Sequence, residues 1–130
     1  MSLLVLIGRL LFATIFVAAA PRHFTADAAA HAAELGVPLA RLAVPASGLL
    51  ALAGGLSVLA GYHTRLGAWL LVAFLVPVTV MMHAFWRLAD PVAVHTQQAM
   101  FMKNVAMIGA ALLIAYFGGG PWSLDARLGR

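Results

Sequence analysis

The chain has 130 residues, 64% of them hydrophobic and 9% charged, against roughly 45–50% and 25% in soluble domains. One domain of this length cannot bury that much apolar surface, so lipid must be the solvent for part of it. The net charge of +4 comes from eight scattered Lys and Arg with no basic stripe, which excludes nucleic acid as a partner. The absence of cysteine excludes disulfides, a thiol nucleophile and cysteine-held zinc or iron–sulfur clusters.

In chain order, the first apolar segment covers residues 3–20. No basic residue precedes it and Pro21 follows its small-residue end, so it is expected as a retained span rather than a cleaved signal peptide. Arg9 lies roughly 9 Å into it at 1.5 Å per residue. The plain reading has Arg9 snorkelling to the near interface; the alternative turns it inward onto polar groups of a bundle.

Residues 21–41 form the one long hydrophilic connection. Thr25 is a helix cap, Asp27 suits the positive end of the helix dipole, and Gly36-Val37-Pro38 is a stop. A short interfacial helix is therefore expected over about 25–36. The second span covers 42–61, with Pro45 in its first turn and Ser47, Ala51 and Gly55, with Gly48 and Gly54 beside them, forming a ridge of small residues. Such ridges let membrane helices approach closely. Tyr62-His63-Thr64-Arg65 reads as a tight turn into a third span over 66–85, which contains Pro77.

Residues 88–96 read as a crossing, with Asp90-Pro91 and His95 as turn signals. A fourth span follows over 98–117, ended by Gly118-Gly119-Gly120-Pro121, and residues 122–130 read as a short polar tail. Four spans of about twenty residues match the hydrocarbon thickness. The predicted fold is all-α: an integral membrane four-helix bundle, up-down-up-down, with both termini on one side. Arg65, Arg127 and Arg130 lie on the terminal side, and Arg22, Arg41 and Arg87 on the other. These counts tie under the positive-inside rule, and the acidic offset on the second side favours cytoplasmic termini.

The alternating direction brings His83, Lys103 and Asn104 to the same membrane face, and Arg22-His23 arrive there from the first span. On the third helix His83, Trp86 and Arg87 are spaced i, i+3, i+4. On the fourth, Met100, Lys103, Asn104 and Met107 share a face. Charged groups inside a span are costly, by about 2.5–3.5 kcal/mol on the lenient scale, so Lys103 calls for a partner or a purpose. A pocket here would be lined by Met and Phe and open sideways to lipid. It would suit a flat lipophilic molecule with carbonyl oxygens, which describes a quinone. His83 and Lys103 would donate to its headgroup, Asn104 would orient it, Trp86 or Phe101 would stack on it, and Met100 would line the wall. Imidazole also titrates near neutral pH, as proton-coupled chemistry requires. The bland alternative has Lys103 reaching the interface and His83 bonding to the backbone.

Other chemistries lack their residues. His23, His63 and His95 read as loop residues, and no two histidines have metal-ligand spacing, so neither metal nor haem is expected from this chain alone. The four spans contain no Asp or Glu, which a proton-relay carrier would ordinarily use. Two other classes stay open: a scaffold that docks a partner redox enzyme or assembles as a homo-oligomer, and a carrier of a lipophilic solute.

Gly8-Arg9-Leu10-Leu11-Phe12, Ser47 through Gly55, Gly61-Tyr62-His63-Thr64-Arg65, Met82-His83-Ala84-Phe85-Trp86 and Gln97 through Asn104 together resemble the DoxX family of small bacterial membrane proteins. The resemblance implies a four-helix protein of the bacterial inner membrane with cytoplasmic termini. The family takes its name from a subunit of a thiosulfate:quinone oxidoreductase, and some members are thought to anchor redox-protective assemblies. Similar proteins often carry an acidic residue shortly before the Gly-Gly pair, where this chain has Ala51-Leu52-Ala53. Any buried base here must find another counter-charge, or water.

Overall fold

The computed structural model describes residues 2–130, and its regular elements are all helices. Helix α1 (Ser2–Ala19) tightens into a 3-10 turn (Ala20–Phe24) and is followed by α2 (Ala26–Glu34), α3 (Ala40–Ala60) and α4 (Thr64–Met82). A second 3-10 turn (Phe85–Arg87) leads to α5 (Pro91–Phe117) and to a short α6 (Leu124–Arg127). With their flanking turns, α1, α3, α4 and α5 are long and apolar enough to cross a membrane. The expected all-α membrane bundle is the observed architecture.

Local chemistry explains most boundaries. Thr25 Oγ1 accepts from the Ala28 amide and so starts α2 as a cap. Gly36, at φ 84°, lies in the left-handed region that the chain turns through after α2. Helix α3 begins at Ala40, which places Pro45 in its second turn rather than its first. The turn between α3 and α4 is shorter than its sequence implies, because Thr64 is already helical after left-handed Gly61 and His63.

Three readings of the chain change. Helix α5 starts at Pro91, not near residue 98: Asp90 accepts from the Ala93 amide, and Pro91 occupies a first-turn position where its missing N–H is harmless. The turn signals of Asp90-Pro91 are thus a helix start, and His95 is helical. Helix α4 ends at Met82 with His83 as its C-cap, and a 3-10 turn rather than α-helix carries the third span on to Arg87. Residues 122–130 are folded rather than a loose tail. Ser123 caps α6, and the Asp125 amide donates to the Gly61 carbonyl at 2.8 Å.

Helix α3 lies between α1 and α4, and α5 packs on the far side of α4. Small residues set these distances. A Cβ on Gly54 would stand 2.8 Å from the Gly67 carbonyl of α4, and one on Gly55 would meet Phe16 and Val17 of α1 at 3.1 Å. The predicted small-residue ridge therefore serves two neighbours at once. Ala13, Phe16, Ala51, Val58, Leu71 and Leu75 fill the space between, and Phe16 sets its ring edge-on to Phe74 at 6.2 Å. Helices α1 and α5 make little direct contact, so the bundle is open along one seam.

That seam is fastened at the terminal face. Arg9 is 5% exposed, and its guanidinium donates to the Gly119 carbonyl at 2.6 Å and the Trp122 carbonyl at 3.0 Å. Of the two readings of Arg9, the inward one holds. Asp125 fastens the neighbouring turn, accepting from the His63 and Thr64 amides at 2.8 Å and from the Thr64 hydroxyl at 2.7 Å. Desolvation pushes the Asp125 carboxyl up. The hydrogen bonds from Thr64 and His63 and the nearby His63 charge outweigh it and hold the carboxyl below the usual carboxylate range.

Candidate ligand-binding site

The open seam widens toward the face opposite the termini, and two cavities adjoin there. The smaller, about 200 Å³, lies between α1, α3, α4 and α5. Its apolar wall includes Phe16, Phe74, Leu75 and Met107, and its polar groups are His23, His83, Lys103 and Asn104. The larger, about 360 Å³, lies under α2 and against α3 and α4. His23, Val78 and His83 line both.

Asn104 is the most distinctive member. It is 4% exposed and lines the smaller cavity. Among the described residues no protein group hydrogen-bonds its carboxamide; the side-chain bonds of α5 involve Thr96, Gln97, Met100 and Lys103. Among the described residues the wholly buried side-chain polar atom without a partner is Arg9 Nε, so the Asn104 carboxamide is open to the cavity rather than sealed in protein.

His83 leaves α4 at its C-cap, where a φ of −119° turns the chain away from the helix. Its Nδ1 lies 2.8 Å from Gln97 Oε1. That oxygen only accepts, so Nδ1 carries the hydrogen, and in the neutral ring Nε2 has the lone pair. The same reasoning fixes His23. Its Nδ1 lies 3.0 Å from Ser47 Oγ, whose single hydrogen goes to the Val44 carbonyl at 2.7 Å, so Nδ1 donates there too.

Lys103 lines the smaller cavity but stays exposed on its open side, donating to Met100 Sδ at 3.3 Å. Among the described residues no carboxylate lies within ion-pair reach of it, the one such pair being His31 with Glu34. The structure thus brings together His83, Lys103 and Asn104. It places Met100 beside Lys103 and outside the cavity lining. Trp86 and Phe101 form an aromatic cluster with Phe85, at centroid distances of 5.2–5.8 Å, on the outer side. Trp86 is 54% exposed, which suits an interfacial anchor.

His23, read from the sequence as a loop residue arriving at this face from the first span, is a wall of both cavities. It sits in the 3-10 turn that continues α1, half-buried, with its ring edge-on to Phe74 at 5.4 Å. The available signal was Gly48. A Cβ there would stand 2.5 Å from His23 Cβ, so the glycine exists to admit this turn against α3. Only the fold reveals which neighbour a glycine admits.

A helical bundle with four apolar spans and a short helix between the first two defines a multi-pass membrane protein. Residues 4–84 match the DoxX family model, and the chain belongs to the DoxX family. Residues 47–128 also match the model of the SURF4 family. No curated protein and no solved structure matches the chain.

Proposed function

We propose that this protein is the membrane component of a redox system in the bacterial inner membrane, with cytoplasmic termini, and that it binds the headgroup of a quinone-like lipid in the smaller cavity. The observation that carries this reading is Asn104, a residue buried in a span whose carboxamide opens on a cavity and has no protein partner. A ligand oxygen would supply that partner. Membership of the DoxX family, often linked to quinone-related systems, favours the same class of ligand.

The residues fit a quinone. Its ring is flat and apolar, matching Phe16, Phe74 and Met107, and its carbonyl oxygens accept hydrogen bonds, matching the Asn104 amide and the Lys103 ammonium. Such a ligand, when bound, supplies reversible electron and proton transfer. His83 then differs from the donor role read from the sequence. With Nδ1 committed to Gln97, neutral His83 offers Nε2 as an acceptor for a hydroxyl of the reduced ligand, and only the protonated ring donates to the oxidised one. Gln97 is the positioning residue that fixes this tautomer.

The test is organic extraction of protein purified in mild detergent, with quinone assayed per protein for the wild type, Asn104→Leu and His83→Ala. Stoichiometric quinone in the wild type, lost in both variants, is the expected result. No quinone in the wild type, or equal amounts in all three, overturns the reading.

A further inference from the structure

The smaller cavity, at about 200 Å³, falls below the roughly 300–1,000 Å³ of ordinary ligand sites. It has room for a ring but not for the hydrophobic chain that keeps a quinone in the bilayer. The larger cavity adjoins it through a shared partition of His23, Val78 and His83.

We infer that the larger cavity is the chain-binding half of the same site, holding the isoprenoid or polymethylene chain of the ligand whose head sits against Asn104. This rests on the proposed headgroup reading. Four features of the cavity support it. Its volume of about 360 Å³ lies inside the ordinary ligand range. Its walls are almost wholly apolar, with Val44, Pro77, Met81 and Met82 prominent, and unbranched Met side chains reshape readily around a flexible chain. Pro77 removes one backbone donor from α4 at this point, which loosens the helix wall beside the chain. Helix α2 covers the cavity through Ala28 and Ala32, so a chain there is shielded from water at the interface.

His23 is the neck between the halves. Gly48 fixes its backbone, since even a Cβ on that glycine would collide with His23 Cβ at 2.5 Å. Its ring is held by one hydrogen bond to Ser47 and one edge contact with Phe74.

The test uses the purified full chain in nanodiscs and a benzoquinone whose isoprenoid chain ends in a diazirine. Irradiation is followed by peptide mapping, with and without excess unlabelled quinone. Competed label on Met81, Met82 or Val44 is the expected result, and Ala43→Phe, which fills the larger cavity, should lose it while still binding a chainless head. Val37→Phe fills the cavity from its loop wall and serves if Ala43→Phe fails to fold. Competed label confined to the α1–α5 seam, at Ile15 or Ala19, overturns the chain site and leaves the headgroup reading standing. Label that unlabelled quinone does not displace overturns both.

Discussion

Arg9 on the first span donates to the carbonyl of Gly119 just past the last span, 110 positions away. Trp122 supplies a second carbonyl, so one guanidinium pins two helices that otherwise barely touch. The planar fork of Arg makes this geometry possible, and a Lys ammonium cannot reproduce it.

Replacing Arg9 leaves both carbonyls without their donor. The buried Gly119 carbonyl, left orphaned, costs about 1–3 kcal/mol, while that of exposed Trp122 can turn to water. Thermal unfolding in detergent should therefore show Arg9→Met clearly destabilised and Arg9→Lys only partly better. Equal stability of all three proteins would mean that the pin contributes nothing.

Asp125 makes docking of the C-terminal segment depend on pH. Its folded pKa is depressed, so its contribution is fully present above the ordinary value of about 3.9. It is lost as pH falls through that value and then through the lower folded one. Hydrogen exchange of the segment from Gly118 to Arg130 should accelerate, relative to its intrinsic rate, on acidification below about pH 4. Asp125→Asn should be fast throughout and lack the step. The carboxylate is largely solvated, so high salt should shrink the effect.

Two glycines in spans should respond in opposite directions. A methyl at Gly54 would collide with the Gly67 carbonyl backbone of α4, so Gly54→Ala should separate α3 from α4 and cost about 1–3 kcal/mol, as overpacking does. Gly109 has nothing within 4 Å of its would-be Cβ, and Gly109→Ala should be neutral or stabilise by up to about 1 kcal/mol. Unfolding midpoints of the two variants in one detergent decide the matter.

Asn104 separates stability from binding. Because its carboxamide opens on the cavity and has no protein partner, Asn104→Leu should leave the ligand-free protein about as stable as the wild type. The same variant should lose bound quinone. A large loss of stability in ligand-free Asn104→Leu would point to a structural role for the amide.

Much of this molecule is written in its sequence, because the bilayer restricts the alternatives. With backbone groups unable to bond to water, long apolar runs must be helices, and their alternating direction puts His83, Lys103 and Asn104 at one depth. Caps such as Thr25 and Asp90 act over three residues and are readable locally, although Pro91 resembles a stop as much as a start. Contacts between distant segments are not readable in this way. Nothing around Arg9 says that its partners are Gly119 and Trp122, and nothing around Asp125 says that it closes the turn at His63 and Thr64. His23 looks like a loop residue until Gly48 admits it against α3, and Trp86 and Phe101 share the site's depth while facing outward. Composition and periodicity determined the membrane, the helices and the depth of each polar group, since those follow from local solvation. Only the tertiary structure decided which groups face inward and meet, since that depends on helix rotation and on close approach at particular glycines.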